Sequence, residues 1–333
     1  MRLVLLAALL TSIAAASTVG ELIQRVRAGL TGHQADAEMA AMVRGAVISE
    51  RLEDAAIEQL QSEGAGALTV EELERQRDLS EKLPRATLTL YDAPPAPTVE
   101  EQTRLIAQLR EIAEQYTAGL PNFLCTQTVR RFAEKKGAEA WQPRDTLVVD
   151  VAYTGKTEQY RLVSINGQPS TKPLNSVGGY KSTGEFGSLL KFIFRDRAKA
   201  EFRWERWGNL RGRPAHVIAF HIDQKHSEYR LDFHGFLKQY RMVAGVHGLI
   251  YADAETHKVL RIRTEAEGLP ANWPILRTPS VLDYDFAEVG GEQYLLPRRV
   301  DSRVITREGQ SRNVMEFGNY RRFAGQSTVT FEK

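Results

Sequence analysis

Gly248-Leu-Ile-Tyr-Ala-Asp253, followed by Ala254-Glu-Thr-His257 and Lys258-Val-Leu-Arg-Ile-Arg263, is the stretch on which the fold reading turns. Leu249 and Tyr251 alternate with Ile250, and Leu260 and Ile262 alternate with Arg261 and Arg263, which is the period-2 signature of half-buried strands. Asp253-Ala-Glu-Thr-His257 is a polar five-residue break suited to a hairpin loop. The stretch therefore predicts an antiparallel hairpin, placed at the centre of a larger sheet. It carries no chemical motif of its own.

The same alternation extends on both sides. Strands are predicted near 123–133, 145–154, 157–165, 199–207, 213–222, 228–234, 248–253, 258–267, 280–288, 293–306, 311–322 and 327–332. Asn166-Gly167 is a two-residue turn signal. Short polar breaks join most neighbours, so the sheet should be mostly antiparallel and strongly curved. Lys172 to Phe194 departs from this pattern. It opens as a Gly/Ser/Pro-rich loop and becomes a helix after Ser182-Thr183, with Phe186, Leu189, Leu190 and Ile193 on one stripe.

Upstream the period is helical. Val19 to Leu30 reads as an amphipathic helix. Met39, Met42, Val43 and Val47, then Leu52, Ile57 and Leu60, continue the spacing to Gly64. Thr69-Val-Glu-Glu72 matches a capping box opening a helix that runs to about Lys82, before Pro84. Residues 92–98, Asp-Ala-Pro-Pro-Ala-Pro-Thr, read as an extended linker. Thr98-Val-Glu-Glu101 is a second capping box. It opens a helix striped by Leu105, Leu109, Ile112 and Tyr116 and closed by Gly119 and Pro121. The fold class is α+β: a small all-α segment over 17–91, the linker 92–98, and a curved antiparallel sheet clasping a helix over 99–333.

Length and 42% hydrophobic residues allow a sizeable core. Arg2 and a short apolar run end in Ala14-Ala15-Ala16, the small-x-small pattern of a secretory signal peptide. Cleavage is expected after Ala16, with a periplasmic or secreted product. No later stretch has the roughly 20 apolar residues of a membrane span. Net charge is +2, which argues against a nucleic-acid partner. Residues 17–92 carry 8 basic and 14 acidic side chains against 33 and 24 for 121–333. The second set leaves a basic excess that either is an ordinary solvated surface or attracts anionic lipid or polymer. Cys125, the single cysteine, can form no intramolecular disulfide and is either a buried apolar residue or a reactive thiol.

The seven histidines raise the question of a metal or catalytic site. His216 and His221, five apart, face opposite sides of one strand and cannot share an ion. His226 and His234 are separated by a whole strand. His234, His247 and Asp253 could gather from separate strands, although hydrogen-bonded surface histidines explain them as well. No HExxH, CxxC, GxSxG or Walker motif is present, and no cofactor or metal is expected. Asp283 and Asp285 share one face of a strand whose other face carries Leu282, Tyr284 and Phe286. They suit acid–base work or the wet side of a half-buried sheet. More informative are Phe202, Trp204, Tyr229, Leu231, Phe233, Tyr251, Tyr284 and Phe286, each on one parity of its strand. Together they could line one concave face, as a filled core or as an apolar groove for a lipid, an acyl chain or an acylated protein. Phe186, Leu189, Leu190 and Ile193 would then form a lid helix, with Gly178-Gly179 through Gly184 as its hinge.

Taken with Gly248–Asp253, Glu255-Thr256 and Val259–Arg263, this architecture resembles the LolA/LolB-like half-open barrel superfamily of lipoprotein carriers and their outer-membrane receptors. It is also similar to the amino-terminal domain of RseB-type envelope-stress regulators. The residues match a hairpin in which an aromatic-bearing strand ends in Asp, a polar turn follows, and the next strand carries Arg. Leu120-Pro-Asn-Phe-Leu-Cys-Thr-Gln127 and Ser182-Thr-Gly-Glu-Phe-Gly187 look like segments of exported bacterial proteins of unassigned function. The helical segment, linker and greater length depart from the carriers. The resemblance implies a non-catalytic envelope protein with an apolar groove. A protein-interaction or envelope-sensor module docking a protein partner is the alternative, and a hydrolase comes third.

Overall fold

The computed structural model describes residues 16–88, 90, 93–135, 141–180, 185–234 and 239–323. The signal-like residues before Ala16, Asp92 of the linker, Ser182–Gly184 and the strand expected at 327–332 lie outside the described residues, as do the side chains of Phe233 and His234. The described chain divides into two compact units, one reaching Pro95 and including 208–214, the other comprising 96–207 and 215–333.

The first unit is built on α1 (Val19–Thr31), α2 (Asp36–Arg44), α3 (Asp54–Ser62) and α4 (Ala67–Leu79). Leu22, Val26, Val43, Leu52, Ile57, Leu60 and Leu73 form its core. Val47, expected on the apolar stripe, is exposed, because α2 ends at Arg44 and the chain has turned by then. The Thr69 capping box is not made. α4 begins at Ala67 with Gly66 as its N-cap, three residues before Thr69, and its free amides are satisfied from a distance. The Asp36 carboxylate accepts from the backbone N–H of Leu68 (2.9 Å) and of Thr69 (3.0 Å) and from the Thr69 hydroxyl (2.6 Å). Glycine is required at 66, since a Cβ there would stand 2.3 Å from the Asp36 carboxyl carbon.

In the second unit α5 (Val99–Gly119) opens with the expected capping box. The Thr98 hydroxyl accepts from the Glu101 N–H and the Glu101 carboxylate accepts from the Thr98 N–H. Then follow β1 (Phe123–Lys135), β2 (Gln142–Thr154), β3 (Thr157–Ile165), β4 (Gln168–Pro169), α6 (Ser188–Phe194), β5 (Glu201–Leu210), β6 (Arg213–Ile222), β7 (Tyr229–His234), β8 (Gln239–Asp253), β9 (Val259–Glu267), β10 (Ile275–Arg277), β11 (Ser280–Val289), β12 (Glu292–Thr306) and β13 (Gly309–Arg322). Among the described residues the sheet runs β4-β3-β2-β1-β13-β12-β11-β9-β8-β6-β5, with β7 on β8 and β10 on β12. It is curved, antiparallel and unclosed, because its ends are β4 and β5. The Asn166-Gly167 turn is made with both residues at positive φ, as a two-residue hairpin needs.

The expected β8–β9 hairpin forms, with Ile250 opposite Ile262 and Tyr251 opposite Arg261. It lies toward the β5 end of the sheet, with β12 at the middle of the strand order. β8 also starts nine residues earlier than its alternation indicated. Gly248 interrupts the apolar pattern, and the register needs a glycine there. A Cβ at 248 would meet the Arg263 carbonyl oxygen at 1.8 Å.

α6 starts at Ser188 rather than near 184, because Gly187 holds φ +108° and Glu185–Gly187 form a turn. The loop before it is pinned: Arg131 donates to the Gly178 carbonyl, and Asn313 Nδ2 donates to the Tyr180 carbonyl at 2.8 Å.

The inner face of the sheet is filled. Phe123 stacks on Tyr153 (5.1 Å) and packs against Phe186 (5.3 Å) and Tyr320 (5.6 Å), and Phe186 meets Phe317 edge-on at 5.5 Å. Leu105, Leu109 and Ala113 of α5 join the same core, as do Leu190, Ile193 and Phe194 of α6.

The β12–β13 pairing stops at Arg299 opposite Glu316. Beyond it β12 continues with β11 and β13 continues with β1, so the two strands part. Two irregularities account for this. Asn319 and Tyr320 together oppose Cys125, with Asn319 at φ +54°, and Arg298 is the extra residue where Asp283 and Tyr284 oppose Arg299 and Pro297. Pro297, which has no N–H to give, fits a strand that has lost its neighbour.

Candidate functional site

Two clefts lie among the described residues where the filled sheet ends. The first, about 330 Å³, is walled by Ile112, Tyr116, Gly119 and Leu120 of and beyond α5, Leu190 of α6, Thr256, Lys258 and Val259 of the β8–β9 turn, and Tyr284, Gln293 and Leu295 of β11–β12. Its rigidity starts from the turn. Asp253 Oδ1 accepts from the N–H of Glu255 (3.2 Å) and from the N–H and hydroxyl of Thr256 (2.8 and 2.9 Å). His257 takes φ +54°, delivering Lys258 and Val259 to the cleft mouth. That explains why an Asp ends β8: its side chain serves the turn and is buried there.

The Tyr116 and Tyr284 phenols of the wall are spoken for by backbone, and that of Tyr294 by the Glu292 carboxylate. Tyr116 donates to the Leu295 carbonyl (2.9 Å) and Tyr284 to the Glu185 carbonyl (3.2 Å). The Leu295 carbonyl belongs to the stretch of β12 left without β13, so a side chain supplies the missing donor there. Burial first, then neighbouring phenols and carboxylates, raises both hydroxyls far above the ordinary tyrosine range, so they stay neutral donors. With their polar tips satisfied, the rings present apolar faces to the cleft. The second cleft, about 380 Å³, occupies the parting of β12 and β13, between Phe286, Leu296, Pro297, Phe317 and Tyr320, with Asp285 and Arg298 at its rim. Tyr320 bridges it by donating to the Pro297 carbonyl at 2.5 Å.

The eight aromatic and apolar residues singled out from sequence do not share one face. Phe202, Trp204 and Tyr229 pack against the main core and Tyr284 lies within it. Tyr251 is fully buried on the opposite face, beside Arg206 and Arg261, whose guanidiniums stand 5.9 and 5.8 Å from its ring. Leu231 joins a separate small cluster with Trp273, Ile275 and Val304. Phe286 lies under the Lys258 ammonium at 4.9 Å. Phe186, Leu190 and Ile193 are buried in the main core, and Leu189 is half-buried against it. Tyr116, Leu120, Lys258, Val259 and Leu295 are the cleft residues that alternation could not find. Each sits at an element end or turn, where parity says nothing about direction. Tyr116 was legible only as part of the α5 stripe.

The polar candidates separate too. Asp283 forms a buried pair with Arg261 (2.7 and 3.1 Å), whereas Asp285 lies half-exposed beside Arg298. Each carboxylate therefore faces its own arginine. His247 and His221 both lean on Glu267, at 3.3 and 2.5 Å, and His216 Nδ1 accepts from Trp204 Nε1 at 3.1 Å. Asp253 is committed to its turn, so the grouping of His234, His247 and Asp253 is not assembled from the described side chains. Among the described residues no three His, Cys, Asp or Glu side chains gather as a metal site. No described helix is long and apolar enough to cross a membrane.

No protein-family model matches the chain, and no curated protein matches it. Among solved structures it is similar to a LolA superfamily protein from Nitrosomonas europaea, at 10% identity and a TM-score of 0.35, covering 66% of this chain and 94% of that one. It is also similar to a DUF1329 family protein from Desulfovibrio piger, at 11% identity and a TM-score of 0.33, covering 67% and 94%. A domain from Vibrio parahaemolyticus named for outer-membrane lipoprotein sorting matches at 10% identity and a TM-score of 0.32, covering 67% and 92%. Likeness of this degree carries no argument about a ligand, which rests on the clefts alone.

Proposed function

We propose that this is a non-catalytic protein of the cell envelope whose sheet unit holds an apolar ligand in the cleft between α5, α6, the β8–β9 turn and β11–β12. The observation that supports this most is the character of the cleft: about 330 Å³, walled by aliphatic side chains and by the rings of Tyr116 and Tyr284, whose hydroxyls already have backbone partners. That volume is at the small end of ligand pockets, which run from about 300 to 1,000 Å³, and suits one acyl chain rather than several. α6 supplies Leu190 to the wall, so the lid reading becomes a proposal that this short helix is the movable side of the cleft.

The test is a titration of the full chain with Nile red, a neutral apolar fluorophore, in wild type, Ile112→Arg and Leu120→Arg. Both positions line the cleft and are only half-buried, so the variants should fold. Each should weaken dye binding at least tenfold while the thermal melt stays cooperative. Wild-type affinity in both variants would remove the ligand from this cleft.

A further inference from the structure

We infer that the cleft selects a single-chain amphiphile with an anionic head, a carboxylate or a phosphate, and that Lys258 is the residue that reads the head. The inference rests on the apolar-ligand reading above and adds charge to it. Of the side chains that line the cleft, Lys258 is the charged one. Its ammonium makes no ion pair with a described residue. The ammonium stands 4.9 Å from the centroid of the Phe286 ring, which lines the second cleft.

Other charges nearby do not compensate it. The Glu292 carboxylate accepts from the hydroxyl of Tyr294, another residue of the lining. Glu255, the acid of the same turn, does not line the cleft. The carboxyl-terminal end of α5 does, and its partial charge of roughly −0.5 opposes an anion. A full ammonium on a rigid turn outweighs that half charge. Gln115, Thr256 and Gln293 add uncharged polar groups to the lining. A neutral chain would leave this lysine facing apolar ligand surface, whereas an anionic head would neutralise it and leave the tail to Ile112, Leu120, Leu190 and Leu295.

The experiment is displacement of Nile red by hexadecanoate, hexadecyl phosphate and hexadecanol, all at one chain length, from wild type, Lys258→Met and Lys258→Arg. Lys258 is solvent-exposed, so its charge is worth a modest factor. Wild type should prefer the two anions over the alcohol about two- to fivefold, in line with the strength of exposed ion pairs. Salt should erode that preference. Lys258→Met, which keeps an unbranched apolar side chain without the charge, should abolish it, and Lys258→Arg should retain it. Equal displacement by all three chains in wild type overturns the inference and leaves the apolar cleft standing, as does a preference that survives in Lys258→Met. Failure of every chain to displace dye overturns the apolar reading and this inference together. Displacement by sodium acetate or inorganic phosphate at the same concentrations would show a bare anion site and overturn the amphiphile.

Discussion

Asp301→Asn offers the sharpest test of how the sheet is held open without falling apart. Asp301 and Arg312 stand on the last continuous section of the β12–β13 ladder, just before the strands part. The Arg312 guanidinium, 3% exposed, donates to both carboxylate oxygens at 2.9 and 2.6 Å, and Arg299 adds a third contact at 2.9 Å. Trp141 faces both Arg303 and Arg312 at 5.8 Å. Burial pushes the Asp301 pKa up, but Arg312, Arg303 and Arg299 more than reverse this and hold it at about 2, below the ordinary 3.8. Substitution by Asn leaves the arginines buried around a neutral amide. Breaking a buried pair in this way costs about 3–5 kcal/mol.

The pH arm has a definite sign. A depressed folded-state pKa contributes stability that is complete above the unfolded value and lost as pH falls through the folded one. Wild type should therefore lose about 2 kcal/mol between pH 5 and pH 2, at about 1.4 kcal/mol per pKa unit. The variant should lose none of that share. Urea unfolding at pH 7, pH 5 and pH 2, followed by tryptophan fluorescence for the sheet unit, which holds all four tryptophans, and by far-ultraviolet circular dichroism for the helical unit, reads both quantities. The transition of the sheet unit should move while that of the helical unit stays, and Asp301→Leu combined with Arg312→Met should recover most of the loss. A shift below about 1 kcal/mol at pH 7, or unchanged acid sensitivity in the variant, would refute the view that this pair fastens the seam beside the parting.

Two further outcomes follow from other groups. Asp36→Ala should destabilise the helical unit by about 0.5–2 kcal/mol, as loss of a helix cap does, with the sheet transition unmoved. Burial raises the Asp36 pKa, but the Thr69 hydroxyl and the Leu68 and Thr69 amides bring it below the ordinary value, so this contribution also fades as pH drops through the acid range. Burial, helped by Glu158 and Asp150, pushes the Cys125 thiol up to about 12, so the native protein should resist a disulfide reagent at pH 8 and react fully only when unfolded. Stoichiometric labelling of native protein within minutes would place Cys125 at a surface.

Much of this molecule is written locally. Alternation from Phe123 onward, Asn166-Gly167, the Thr98–Glu101 capping box and the Gly248–Arg263 hairpin depend on side chains within a few positions of one another, and hydrophobic period and turn chemistry suffice to read them. Which face an alternating strand turns inward is not local. Tyr251 and Tyr284 have equally good parity, yet pairing sends Tyr251 to the arginine-lined side and Tyr284 into the core. A bulge of one residue reverses every side chain beyond it. The Thr69 capping box lost to Asp36 for the same kind of reason, since a carboxylate more than thirty residues away reached the amides first. The cleft belongs wholly to this second category. Its walls are an α5 terminus, a turn lysine, one α6 leucine and a β12 edge stripped of its neighbour by bulges on both sides. Sequence supplied the residues, and only the tertiary parting of β12 from β13 brought the unpaired Leu295 carbonyl to Tyr116 and left apolar space beside it.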